Sequence, residues 1–150
     1  DPAADYPAAV LGLDARIVTD RRTIASGDFF KAMFETALEP DEIIRAIQFP
    51  KIERAAYLKF PNPASRYAMV GVLIACISDE VRIAITGAAP SVFRAADFEV
   101  ALSESFSESS ISELTLPSDT MNDDIHASAD YRAHLCKVLI GRGVQMLSDH

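Results

Sequence analysis

Polar and apolar positions alternate along the chain in a way that predicts an element at almost every step. Asp1-Pro-Ala-Ala-Asp-Tyr-Pro7 is turn chemistry, and the apolar stretch Pro7 to Leu13 behind it is a short helix that Asp5 is placed to cap. Ala15-Arg-Ile-Val-Thr19 alternates in the strand manner, Asp20-Arg-Arg22 is a polar turn, and Thr23-Ile-Ala25 returns as a second strand, giving a hairpin. Gly27-Asp28 opens a helix in which Phe30, Met33, Phe34 and Ala37 keep the three-and-four spacing of one buried face, ending near Glu39-Pro40. A strand from Asp41 to Phe49 follows. It carries Ile43, Ile47 and Phe49 on one face and Ile44 and Ala46 on the other, so both faces are expected to be largely covered.

Pro50 ends that strand, and the charged Lys51-Ile-Glu-Arg54 marks a boundary between a unit of residues 1–53 and one of residues 54–150. Three strands come next: Ala55 to Phe60, Tyr67 to Ile77 and Val81 to Thr86. Ser78-Asp-Glu80 is too short for a parallel crossover, so the last two must pair antiparallel. In Val81-Arg-Ile-Ala-Ile85 the branched residues face one way and Arg82 the other, which predicts one buried and one partly wet face. Helical patterns then run from Phe93 to Leu102, Ser110 to Leu114 and Ser128 to Met146, with Gly141 and Gly143 expected to fray the end of the last helix. The fold class is α+β, the second unit being a three-stranded antiparallel sheet backed by about three helices.

Composition narrows the function classes. Apolar residues make up 49% and charged residues 24%, the balance of a folded globular protein. The net charge of −8 and the lack of a basic cluster argue against nucleic acid and anionic membrane as partners. The longest apolar run, Ala68 to Ile77, reaches about half of the roughly twenty residues that cross a bilayer, so no membrane insertion is expected. No signal segment opens the chain, and Cys76 and Cys136 have neither the number nor the spacing of a disulfide framework or zinc site. Reduced, buried cysteines and a cytoplasmic location follow as the expectation.

Nucleophile motifs and phosphate-cradling glycine loops are missing, and no catalytic residue or metal ligand is assigned. Asn122-Asp-Asp-Ile-His126 lies just ahead of a helix, where Asp124 or Ser128 serves as a cap. His150 is terminal and uninformative. More telling is Tyr57-Leu-Lys-Phe-Pro-Asn-Pro-Ala-Ser-Arg-Tyr67, a loop with Lys59, Arg66 and Tyr67 close together between apolar strands. Lys59 either snorkels from a strand edge or carries a site's charge, and Tyr67 is either a core aromatic or a ligand's cover. Asp5 either caps its helix or accepts a hydrogen bond from a ligand hydroxyl. Arg66 reads as a solvated loop residue.

Asp1-Pro-Ala-Ala-Asp5, Asp28-Phe-Phe30, Leu38-x-x-x-Glu42-Ile-Ile44, Pro50, and Lys59 ahead of Ser65-Arg-Tyr-Ala-x-Val-Gly71 together resemble the flavin-binding medium subunit of the molybdenum hydroxylases. Val81-Arg-Ile-Ala-Ile-Thr-Gly87, Arg94-Ala95 and Asp130-Tyr-Arg132 extend the likeness over essentially the whole chain. The resemblance implies the end of an FAD-binding α+β subdomain over residues 1–53, then the carbon monoxide dehydrogenase flavoprotein type of C-terminal domain over 54–150. It implies FAD as cofactor, with Asp5 at the ribityl or phosphate region, Ile44 beside the flavin, Lys59 near the isoalloxazine and Tyr67 over one ring face. Its partners would be an iron–sulfur small subunit and a molybdenum large subunit, with electrons passing through FAD to an acceptor. The alternative is an assembly module that docks these parts and does no chemistry. The family holds the FAD pyrophosphate on two glycine-rich segments that lie upstream of Asp1 and are not in this sequence, so the chain alone is expected to bind FAD weakly or not at all.

Overall fold

The computed structural model describes residues 1–149; the terminal His150 lies outside them. Helix α1 (Tyr6–Gly12) starts with a proline in its first turn, where the missing N–H is no loss. Strands β1 (Arg16–Thr19), β2 (Thr23–Ala25) and, later, β5 (Ile44–Gln48) form an antiparallel sheet in the order β2-β1-β5. Strands β6 (Arg54–Pro61), β7 (Ala68–Ile77), β8 (Glu80–Thr86) and β9 (Phe93–Arg94) form a second antiparallel sheet in sequence order. Helices α3 (Ala96–Glu104) and α4 (Ala129–Ser148) cover one of its faces.

That face holds the main core. Val70, Val72, Ile74, Ile83 and Ile85 meet Phe98, Leu102, Leu139, Ile140 and Val144, all essentially without solvent contact. The opposite face is covered too, because Ala8 and Leu11 of α1 lie on Leu73, Ala75 and Ala84. Gly12 permits this approach: a methyl group there would collide with the Leu73 side chain. Val10, on the other side of α1, packs with Ala15, Ile17, Ile24 and Phe29 in a third cluster. Helix α1 is thus shared between two cores. Cys76 and Cys136 are buried free thiols, and burial pushes Cys136 up to about 12. No helix among the described residues is long and apolar enough to cross a membrane.

Several expectations are corrected. The helix expected from Gly27-Asp28 to near Glu39-Pro40 is a single turn, α2 (Ser26–Phe29), followed by a hairpin of β3 (Phe30–Ala32) and β4 (Glu35–Thr36). The adjacent Phe29 and Phe30 supply the buried contact, edge to face at 5.1 Å, and leave Met33 and Phe34 exposed at the turn with Phe34 at φ 58°. The strand expected from Asp41 to Phe49 is shorter, Ile44–Gln48, and Ile44 in it and Ile43 and Phe49 flanking it are exposed, because β5 is an edge that turns Ile47 into the third cluster. Arg82 is buried, not wet, since α1 occupies its face. The helix expected from Phe93 begins at Ala96, because Phe93 and Arg94 pair with Ile85 and Ala84 as a fourth strand. Residues Glu108–Ile111 form a 3-10 turn where a helix over Ser110 to Leu114 was expected. Helix α4 does not fray at its glycines and runs to Ser148.

Candidate functional site

Lys59 and Tyr57 are two residues apart on β6, so their side chains leave the sheet on one face. That is the face on which α1 lies, and the start of α1 brings Asp5 over them. The Tyr57 hydroxyl donates to Asp5 Oδ1 at 2.6 Å and Lys59 Nζ donates to Oδ2 at 2.8 Å. Asp5 stands at the N-cap position of α1, yet its side chain makes no capping bond and its backbone is already helical. Its carboxylate is spent on the strand instead.

The sequence builds this meeting in three steps. Gly71 pairs with Lys59 across the sheet, and its missing side chain leaves the space in which the Tyr57 ring lies; a methyl there would collide with the Tyr57 hydroxyl. The segment before α1 is laced to the sheet by Ala68 N–H donating to Ala3 O at 3.1 Å and Gly87 N–H donating to Pro2 O at 2.7 Å. The Thr86 hydroxyl lies 2.7 Å from Pro2 O and 2.9 Å from Ala4 O. Gly87 reaches its position at φ 80°, with the Ala68 carbonyl where a side chain would stand, so only glycine serves.

The electrostatics follow from the geometry. Partial burial works to raise the Asp5 carboxyl, but hydrogen bonds from Lys59 and Tyr57 and the Lys59 charge outweigh it and hold Asp5 below the ordinary carboxylate range. Burial, then the hydrogen bond to Asp5 and its negative charge, push the Tyr57 phenol well above its usual value. Asp5 keeps unused acceptor positions and Lys59 keeps N–H donors beyond the one Asp5 takes, and both remain partly open to solvent.

Tyr67 stands beside this pair. The loop 62–67 is closed by Asn62, whose N–H donates to Tyr67 O at 2.8 Å and whose Oδ1 accepts from Ala64 and Ser65. Arg66 adopts φ 67° at its tip. Ala4, Asp5, Tyr6, Ser65, Arg66 and Tyr67 line a shallow cleft of about 420 Å³. Tyr67 and Tyr6 are each about half exposed, and Tyr6 meets Phe49 edge to face at 6.4 Å. Ile44 lies elsewhere, on β5 opposite Thr19, and is not among the residues lining this cleft. The structure therefore joins Asp5 to Lys59, sets Tyr67 at the same cleft and leaves Ile44 on the other sheet.

Tyr57, Tyr6, Phe49 and Asn62 carry no role in the sequence reading. For Tyr57 the signal was present: period-two alternation sets it on the face of Lys59. The cleft brings together a carboxylate, Asp5, and the half-exposed rings of Tyr6 and Tyr67, and Lys59 is linked to it through its bond to Asp5. A planar ring bearing hydroxyl groups is a ligand chemistry that such groups can hold.

Residues 1–52 match the family described as FAD binding domain in molybdopterin dehydrogenase. The chain is 33% identical to the nicotine 6-hydroxylase medium subunit of Paenarthrobacter nicotinovorans, over 96% of this chain and 56% of that protein. It is 28% identical to the carbon monoxide dehydrogenase medium chain of Hydrogenophaga pseudoflava, over 62% of this chain and 37% of that one. Its fold matches a chain of the reconstituted CO dehydrogenase from Oligotropha carboxidovorans with a TM-score of 0.80 at 23% identity, covering 97% of this chain and 56% of that chain. The chain spans about half the length, or less, of the curated relatives it matches.

Proposed function

The chain belongs to the family of flavin-binding medium subunits of the molybdenum hydroxylases, and from that membership we propose that it forms the ring and ribityl side of an FAD site in an oxidoreductase. FAD, when bound, supplies the redox chemistry, taking electrons from iron–sulfur clusters and passing them to an acceptor. In this reading Asp5 accepts a hydrogen bond from a ribityl hydroxyl. Lys59 sets a positive charge near the isoalloxazine and so favours its electron-rich reduced form. Tyr67 covers one ring face, which contributes on the order of 1 kcal/mol beyond burial. Ile44 supplies an apolar contact from β5. The division at residues 53 and 54 separates a flavin-binding part from a C-terminal part. The clusters and the molybdenum centre reside in small and large partner subunits, and the assembly works in the cytoplasm.

The observation that carries this reading is the Asp5–Lys59 pair beside the exposed Tyr67. Titrating the chain with FAD while following its backbone and side-chain NMR signals tests it. Binding is expected to be weak, with the largest changes at Asp5, Lys59 and Tyr67, and Asp5→Asn or Lys59→Met is expected to weaken it further. Changes confined to other surfaces would refute the assignment. A docking role sits beside this one, supported by Phe34 and Ile125, which stand 76% and 96% exposed.

A further inference from the structure

Tyr57 lies outside the set of residues assigned to the cofactor, yet it is bound directly to one of them, Asp5. Its ring crosses the sheet over Gly71, and its hydroxyl makes the shorter of the two bonds to Asp5, 2.6 Å against 2.8 Å from Lys59. Asp5 makes no capping bond for its own helix, so both of its oxygens are turned to β6. Without Tyr57 the carboxylate would have one anchor, the flexible end of a lysine, and would be free to rotate about its side chain. With both anchors, one oxygen is tied to a rigid ring and the other to Lys59, so the plane of the carboxylate is fixed. The unused acceptor positions of Asp5 then point in set directions, and a fixed share of the Lys59 charge is neutralised.

We propose that Tyr57 is a positioning residue of the flavin site, acting through Asp5 to fix both the acceptor offered to the ribityl chain and the effective charge that Lys59 presents to the ring. The inference rests on the flavin reading above. Gly71 belongs to the same device, because its hydrogen is what gives the Tyr57 ring room; a methyl at that position also meets Thr86 Cγ2 at 2.9 Å. Tyr57 touches no reacting atom in this scheme. Its effect passes entirely through Asp5.

Tyr57→Phe removes one oxygen and keeps the ring, so the sheet packing survives. Two measurements read its effect: the titration of the Asp5 carboxyl by carbon-13 NMR without flavin, and the FAD dissociation constant from the NMR titration. The expected result is an Asp5 titration moved toward the ordinary carboxylate range and an FAD dissociation constant raised at least fivefold, with the unfolding temperature little changed. Gly71→Ala, which keeps the hydroxyl but displaces it, is expected to move both readouts in the same direction. An unchanged Asp5 titration and an unchanged dissociation constant in Tyr57→Phe, with Asp5→Asn and Lys59→Met still weakening FAD, would overturn the role of Tyr57 and leave the flavin reading standing. Full FAD affinity in Asp5→Asn and Lys59→Met would overturn the flavin reading and this inference with it.

Discussion

At the scale of single residues, Glu42 shows how one side chain fixes a neighbourhood. Its buried carboxylate takes a two-pronged bond from Arg22, at 2.9 and 2.8 Å, and further bonds from the Thr19 hydroxyl at 2.7 Å and the Glu39 N–H at 3.0 Å. Those bonds, led by the one from Arg22, lower it to about 2. The folded value lies below the unfolded one, so Glu42 contributes stability above the ordinary carboxylate range and loses it as pH falls toward about 2. Urea unfolding between neutral pH and pH 2 is expected to show this loss in the native protein. Glu42→Gln should be less stable at neutral pH and flatter across the acid window. Arg132 makes a comparable claim for the main core. Its guanidinium donates to the carbonyls of Met69 and Gly87 at 2.9 and 3.1 Å and pairs with Asp124 at 2.8 Å. Arg132→Met takes a donor from each of these groups, although Gly87 O keeps Asn122 and Asp124 keeps the N–H groups of His126 and Ala127, and is expected to cost about 2–4 kcal/mol in thermal unfolding. Neither residue can be read from the sequence in this role, because each gathers partners from distant segments that no local pattern links. For Asp5 and Lys59 the residue pattern left two readings each, and their bond to one another could not be read from segments 54 positions apart. Tyr57 was legible from alternation.

At the scale of elements, α4 separates two glycines that look alike in sequence. A methyl at Gly141 would lie 3.4 Å from the far end of the Glu108 side chain, an ordinary contact. At Gly143 it would stand 2.6 Å from Ile74 Cδ1 and 3.1 Å from Leu58 Cδ1, where the helix is pressed onto the sheet and Ile74 is wholly buried. Gly141→Ala is therefore expected to stabilise the protein by up to about 1 kcal/mol through helix propensity. Gly143→Ala carries the same propensity gain but overpacks the core, which costs about 1–3 kcal/mol, so it should be neutral or destabilising. Thermal unfolding of the two variants side by side decides the matter. The glycine-based expectation of fraying failed because propensity was weighed without the packing that Gly143 permits. The same blindness explains β3 and β4: Phe30, Met33, Phe34 and Ala37 fit a helical spacing, but only tertiary contact reveals that Phe29, Phe30 and Ala37 reach the core while Met33 and Phe34 do not. By contrast β6, β7 and β8 lay open in the sequence, since an apolar run bounded by short polar loops leaves few other arrangements.

At the scale of the whole molecule, α1 is the element on which both cores depend. Its seven residues send Ala8 and Leu11 into the large sheet and Val10 into the smaller cluster. Both of its ends are held by that large sheet. Asp5, ahead of its first turn, is bound by Tyr57 and Lys59, and the carbonyls of Leu11 and Gly12 at its far end accept from Arg82 at 3.1 and 3.3 Å. Arg82 also pairs with Asp14 at 2.9 Å just beyond the helix. A cation buried at a helix C-terminus answers both the unpaired carbonyls and the dipole, which is why Arg82 sits on a face that strand alternation alone would leave wet. A helix this short does not persist by itself, so it stands or falls with its anchors. Unfolding is accordingly expected to be a single transition, with probes in residues 16–25 and in residues 70–76 losing structure together. Arg82→Met should cost about 1–3 kcal/mol by removing the side-chain donor shared by the Leu11 and Gly12 carbonyls, while the exposed Asp14 carboxylate turns to water. It should also uncouple the two regions, so that amide protection in residues 6–12 and 16–19 falls well before that of the large sheet in hydrogen exchange. Equal loss of protection across both regions would show that α1 is not the link between them. Because Asp5 is carried by the same helix, Arg82→Met should also disturb the Asp5–Lys59 pair from the opposite end of the helix, without touching the cleft.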